Sequence, residues 1–122
     1  MTSTVQNFTL PAGDDVTLRF TVSSDDMNST LDNVTIYWWA ARYKTSPQSD
    51  IVIKKDSATG GIAVADSVNR IFDVTLSRAD TLGLIGRYYH EAKVVDDTGG
   101  YITVTTGKMT VSPTIVRTAE DS

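Results

Sequence analysis

Residues 77–95, SRADTLGLIGRYYHEAKVV, read as a tight corner followed by a long strand, and the rest of the chain has to fit around them. Ser77, Asp80 and Thr81 are turn and capping residues, since short polar side chains can hydrogen-bond the backbone groups that a corner leaves unpaired. Tyr88, Tyr89, Val94 and Val95 supply the aromatic and β-branched bulk of a half-buried pleated strand, and Gly86 is the hinge between the two parts.

On either side of this stretch the dominant pattern is alternation. Val16, Leu18, Phe20 and Val22 share one face while Thr17, Arg19 and Thr21 take the other, the period of two of a strand with one dry side. Val34, Ile36, Trp38 and Ala40 repeat the pattern, with Thr35, Tyr37, Trp39 and Ala41 opposite. Phe8 and Leu10 mark a short first strand over residues 5–10, closed by Pro11, Ala12, Gly13 and Asp14. Ile51, Val52 and Ile53 form another, and DSATGG at 56–61 reads as the turn of a hairpin whose return arm is Ile62, Ala63 and Val64. Phe72, Val74 and Leu76 alternate again. After Val95, residues 96–100 (DDTGG) make a second hairpin loop into a last strand over 101–111. The phase of that strand slips between Ile102/Val104 and Met109/Val111, which predicts a bulge near Thr106 and Gly107.

About eight short, evenly spaced strands without helical periodicity predict an antiparallel two-sheet β-sandwich. It is expected to occupy residues 1–117, with 118–122 as a polar tail. The Gly86-x-Tyr88 strand that follows a one-turn corner resembles the sixth strand of an immunoglobulin-type sandwich, in which a tyrosine hydroxyl bonds back to the corner backbone. The expected fold is therefore all-β and immunoglobulin-like, with Trp38, Phe20, Phe72 and Tyr88 in the core.

At 122 residues the chain has the size of one domain, large enough to bury a core. It contains no cysteine, which excludes disulfides, thiolate metal sites and cysteine nucleophiles. Fifteen acidic residues against eleven scattered basic ones argue against a nucleic-acid partner. No window suits a membrane span and no leader pattern opens the chain, so a soluble protein without a membrane partner is expected.

Chemistry is sparse. His90 is the only histidine, so multi-histidine metal sites and two-histidine mechanisms are excluded, and its parity with Tyr88, Ala92 and Val94 reads as a buried or edge residue satisfied by one hydrogen bond rather than a catalytic base. No nucleophile or phosphate-loop motif accompanies it. The chain is expected to be no enzyme, with no catalytic residue and no cofactor. The pairs Asp25-Asp26 and Asp96-Asp97 fall on loops that would meet at one end of the sandwich, where four carboxylates could hold calcium; without a full ligand-loop pattern, their turn-forming habit is the better explanation. Tyr37, Trp39 and Tyr89 project outward on neighbouring strands, and Tyr101 joins them. Such a face is either covered by a loop, a protein interface, or a platform for stacking sugars.

Taken together, several stretches carry a family resemblance. FTLPAGDD at 8–15, Ile36-Tyr37-Trp38, Ala79-Asp80-Thr81, Leu84-x-Gly86-x-Tyr88-Tyr89-His90-Glu91-Ala92, Asp96-Asp97-x-Gly99 and Thr110-Val111-x-Pro113-Thr114 resemble small virion proteins of tailed bacteriophages and prophages. They are also similar to the immunoglobulin-like N-terminal domain of phage baseplate upper proteins. The resemblance implies a structural virion module whose partners are the major capsid protein, tail or baseplate proteins, or further copies of itself. Baseplate upper proteins continue into a long second part, so capsid decoration or cement is the leading expectation and a tail accessory the next. A carbohydrate-binding module is the rival.

Overall fold

The computed structural model describes residues 4–23, 30–96 and 98–115. Among them nine strands form: β1 (Thr4–Val5), β2 (Phe8–Pro11), β3 (Val16–Thr21), β4 (Thr35–Ala41), β5 (Ile51–Asp56), β6 (Ile62–Asp66), β7 (Ile71–Leu76), β8 (Gly86–Val95) and β9 (Tyr101–Ser112). A 3-10 turn (Gln48–Asp50) precedes β5, and a single turn of α-helix, α1 (Arg78–Thr81), links β7 to β8.

The strands make a two-sheet β-sandwich. The large sheet runs β5-β4-β8-β9, with β1 and β2 both on the outer edge of β9, and the small sheet runs β3-β7-β6. This is the strand distribution of an immunoglobulin-like domain. The ladders between these strands are antiparallel except those of β1 and β2, which run parallel to β9. The single first strand expected over 5–10 is thus split in two, with Gln6 and Asn7 between the halves.

The alternation is met by burial. Trp38 and Phe72 are wholly inaccessible, and Phe20 and Tyr88 are nearly so, with Ile36, Val74, Val94, Met109 and Val111 filling the space between the sheets. Phe20 and Phe72 face each other across β3 and β7 with ring centroids 5.4 Å apart.

The corner at 77–86 is locked from several sides. The Asp80 carboxylate accepts the Ser77 amide at 2.7 Å, closing α1 as a capping box. The buried Thr81 hydroxyl accepts the Gly13 amide at 2.9 Å and so ties the corner to the turn after β2. As the immunoglobulin resemblance implied, the Tyr88 hydroxyl returns to the corner, accepting the Ile85 amide at 3.3 Å. Arg42, at the end of β4, stacks on the Tyr88 ring at 4.3 Å and donates to the Ile85 and Arg87 carbonyls. Gly86 lies between them at φ +92°, a conformation strained for any residue with a Cβ.

Two expectations are corrected. Residues 51–64 form no hairpin: β5 belongs to the large sheet and β6 to the small one, and the chain crosses between them through Gly60 and Gly61, both at positive φ. The reason is that Ile53 and Ile62 are buried from opposite sheets into one core. The bulge in β9 falls at Val104, between the pairs Ala92/Thr105 and Lys93/Thr103, rather than at Thr106 and Gly107. There Val104 and Thr105 are both buried, and two consecutive inward residues shift the phase of a strand. A glycine is required at 107 for another reason, since a Cβ there would collide with the Gln6 carbonyl and the His90 ring. Two edge strands bulge as well, β5 at Val52 and β6 at Ala65.

Candidate functional site

The outward side of the large sheet is built by the same alternation that fills the core. Because Ile36, Trp38 and Ala40 point inward, Tyr37 and Trp39 must point outward, and pairing brings Lys93 of β8 beside Tyr37 and Glu91 beside Trp39. One strand on, Tyr89 lies between Ala41 and Lys108. Tyr101 opens β9 opposite Val95 and is 71% exposed, whereas Tyr37, Trp39 and Tyr89 are half-buried.

All of the predicted interface residues share this face, and two clefts divide it. One, of about 320 Å³, is lined by Tyr37, Trp39, Glu91, Lys93 and Tyr101. The other, of about 490 Å³, has Trp39 and Tyr89 among its walls, with Tyr43, Lys44, Thr106 and Lys108 around them. Trp39 is common to both. Among the described residues these aromatic rings line two open clefts.

Sequence reasoning missed the companions of these rings. Lys54 of β5 reaches over Trp39 at 4.9 Å, and Lys44, in the loop after β4, over Tyr89 at 5.3 Å. Lys93 donates to the Thr103 hydroxyl at 2.9 Å and approaches Glu91 at 3.9 Å. The parity that selected Tyr37 and Tyr89 would also have selected Lys54, Lys93 and Lys108 once the strand order was known. Tyr43, 65% exposed, follows the end of β4, where alternation assigns no face.

Of the four calcium candidates the structure describes Asp96 alone. Asp25, Asp26 and Asp97 lie outside the described residues. Asp96 Oδ1 is occupied within its own loop, accepting the Thr98 hydroxyl, the Gly100 amide and the Thr98 amide at 2.7–3.0 Å. The Thr98 hydroxyl and these amides hold its carboxyl below the usual range. Asp56 and Asp66 act similarly toward Thr59 and Asn69. Much of the acidity of the chain is therefore turn chemistry. Among the described residues no group of three or more His, Cys, Asp or Glu could hold a metal ion.

His90 is buried and makes two hydrogen bonds, one more than expected. Nδ1 accepts the Trp38 indole N–H at 3.2 Å and Nε2 donates to the Gln6 carbonyl at 2.7 Å, which fixes a neutral ring with its proton on Nε2. Burial pushes its pKa down against an opposing effect of the Gln6 carbonyl. The ring packs among Phe8, Phe20 and Trp38, so it clamps the N-terminal segment to the core.

No family model matches the chain, and no curated protein does. Among solved structures, the soluble domain of PmoD from Methylocystis sp. ATCC 49242 (Rockwell) is similar in fold, with a TM-score of 0.51 over 85% of this chain and 77% of that one. At 12% identity the likeness concerns architecture alone. In all, 254 solved chains match, so the fold leaves the role to be argued from the face.

Proposed function

We propose that the chain is a non-enzymatic attachment module of a tailed-bacteriophage particle, seated by the outer face of its large sheet on the capsid as a decoration or cement protein, or on the tail or baseplate as an accessory. The observation that carries the attachment is the line of aromatic residues, Tyr43, Tyr89, Trp39, Tyr37 and Tyr101, along that face. Tyrosine and tryptophan bury large area at low entropic cost and anchor protein interfaces. The phage setting rests on the sequence resemblance, which includes Ile36-Tyr37-Trp38 of β4 and the corner before β8.

A second reading, glycan binding, draws on one cleft: Tyr37, Trp39 and Tyr101 stand beside Glu91 and Lys93, rings for stacking next to hydrogen-bonding groups.

The test uses particles stripped of the protein, incubated with purified wild type or Trp39→Ala and sedimented to count bound copies. Loss of the anchor should cost roughly 2 kcal/mol or more, about thirtyfold in affinity, without unfolding a chain whose core is filled by Trp38. Normal occupancy with weakened retention on a polysaccharide column would favour glycan binding. Normal occupancy with normal retention would reject both.

A further inference from the structure

The large-sheet face has a charge opposite to that of the chain. Lys54, Arg87, Lys93 and Lys108 hold outward register positions on it, and Lys44 reaches over it from the loop after β4. These are five of the eleven basic residues of a chain whose formal net charge is -4. Only Glu91 and Asp56 among the acidic residues hold outward positions on its strands, and the Asp56 carboxylate is taken up by Ala58 and Thr59 of its own turn. Among the described residues no carboxylate pairs with Lys44, Lys54, Arg87 or Lys108. The far sheet differs: its outward Arg19 is closed by a two-pronged pair with Asp73 at 2.8 and 3.0 Å.

Accepting the attachment reading, we infer that the occupant of this face is an acidic protein surface, whose carboxylates meet Lys44, Lys54, Lys93 and Lys108 while its apolar atoms cover Trp39 and Tyr37. Complementary charge fixes orientation and speeds encounter, and aromatic anchors hold the complex. A sugar chain fits less well. Lys54 and Lys44 stand over the rings of Trp39 and Tyr89, so a partner that uses those rings also meets two ammonium groups, for which a neutral sugar brings no counter-charge.

The probe is poly-L-glutamate, titrated into the purified full chain at low salt and followed by tryptophan fluorescence, with polygalacturonate as a carboxylate polysaccharide and a single-stranded oligothymidylate as comparators. Polyglutamate should bind most tightly and lose affinity as salt is added. Lys54→Gln and Lys108→Gln should each weaken it about threefold and the double variant about tenfold, the scale of exposed charge pairs. Arg19→Gln removes the same charge from the far sheet and should leave binding unchanged. The inference is overturned if polyglutamate does not bind, if either comparator binds more tightly, or if Arg19→Gln weakens binding as much as Lys54→Gln. These failures are separable from failure of the attachment reading. If Trp39→Ala still empties the particle, the face remains the anchor and only the acidity of its partner is wrong.

Discussion

His90 gives the fold a pH dependence that one residue should account for. An unfolded histidine titrates near 6.5, and in the folded chain burial, which penalises the charged ring, pushes the pKa below that. The folded state therefore prefers the neutral ring. Its contribution is complete above about pH 6.5, declines as the pH falls, and levels off only below the folded pKa. With one histidine in the chain, no other side chain titrates ordinarily in this window. The carboxyls of Asp56, Asp66, Asp73, Asp80 and Asp96 are all shifted downward, so the stability they lend is lost further into acid. At about pH 5.5 the unfolded chain has gained nearly one proton on its histidine and the folded chain less, a difference worth at most about 1.4 kcal/mol. Urea unfolding followed by tryptophan fluorescence should show a lower midpoint at about pH 5.5 than at 7.5, by at most about 1.4 M. His90→Gln should be less stable throughout yet nearly flat over the same range. A wild-type midpoint that does not move, or a His90→Gln variant with the wild-type slope, would refute the account.

Three further outcomes test the core and the corner. Trp38→Ala should cost roughly 3–5 kcal/mol, because the ring is wholly buried; thermal denaturation within a couple of degrees of wild type would show that the phase of β4 is wrong. Gly107→Ala should cost about 1–3 kcal/mol by forcing Gln6 off β9, and hydrogen exchange should locate the lost protection at residues 6–10. Tyr88→Phe keeps the stack with Arg42 but removes the hydroxyl that accepts from Ile85 and Arg42, so chemical denaturation should report a loss of about 1–2 kcal/mol.

What the sequence made legible was whatever depends on a period of two. The strict alternation through β4 named Trp38 as core and Tyr37 and Trp39 as surface, and Gly86-x-Tyr88 announced the corner because few other patterns need both a positive φ and a ring three residues past Ile85. Partnership across distance was not legible. Nothing local distinguishes a turn that returns to its own sheet from one that crosses to the other, so the passage from β5 to β6 looked like a hairpin. Gly107 suggested a bulge because its true reason, the approach of Gln6, lies at the other end of the chain. The lysines beside the aromatic rings went unremarked for a related cause: a surface lysine acquires meaning only when strand order shows what it stands over.

The parallel pairing of β1 and β2 with β9 also sets an order of events during synthesis. Thr4 meets Thr105 and Phe8 meets Met109, so the opening residues have no partner in the large sheet until the closing strand has been made. At about 5–20 residues per second that is a wait of some 5–20 seconds, during which β1 and β2 have no strand to pair with. The small sheet and the β4-β8 pair can assemble meanwhile from segments closer in sequence, a cheaper loop closure. Strands β1 and β2 are thus made well before β9 and are among the last to find their place, and a ribosome stalled before Tyr101 would hold a sandwich lacking one edge.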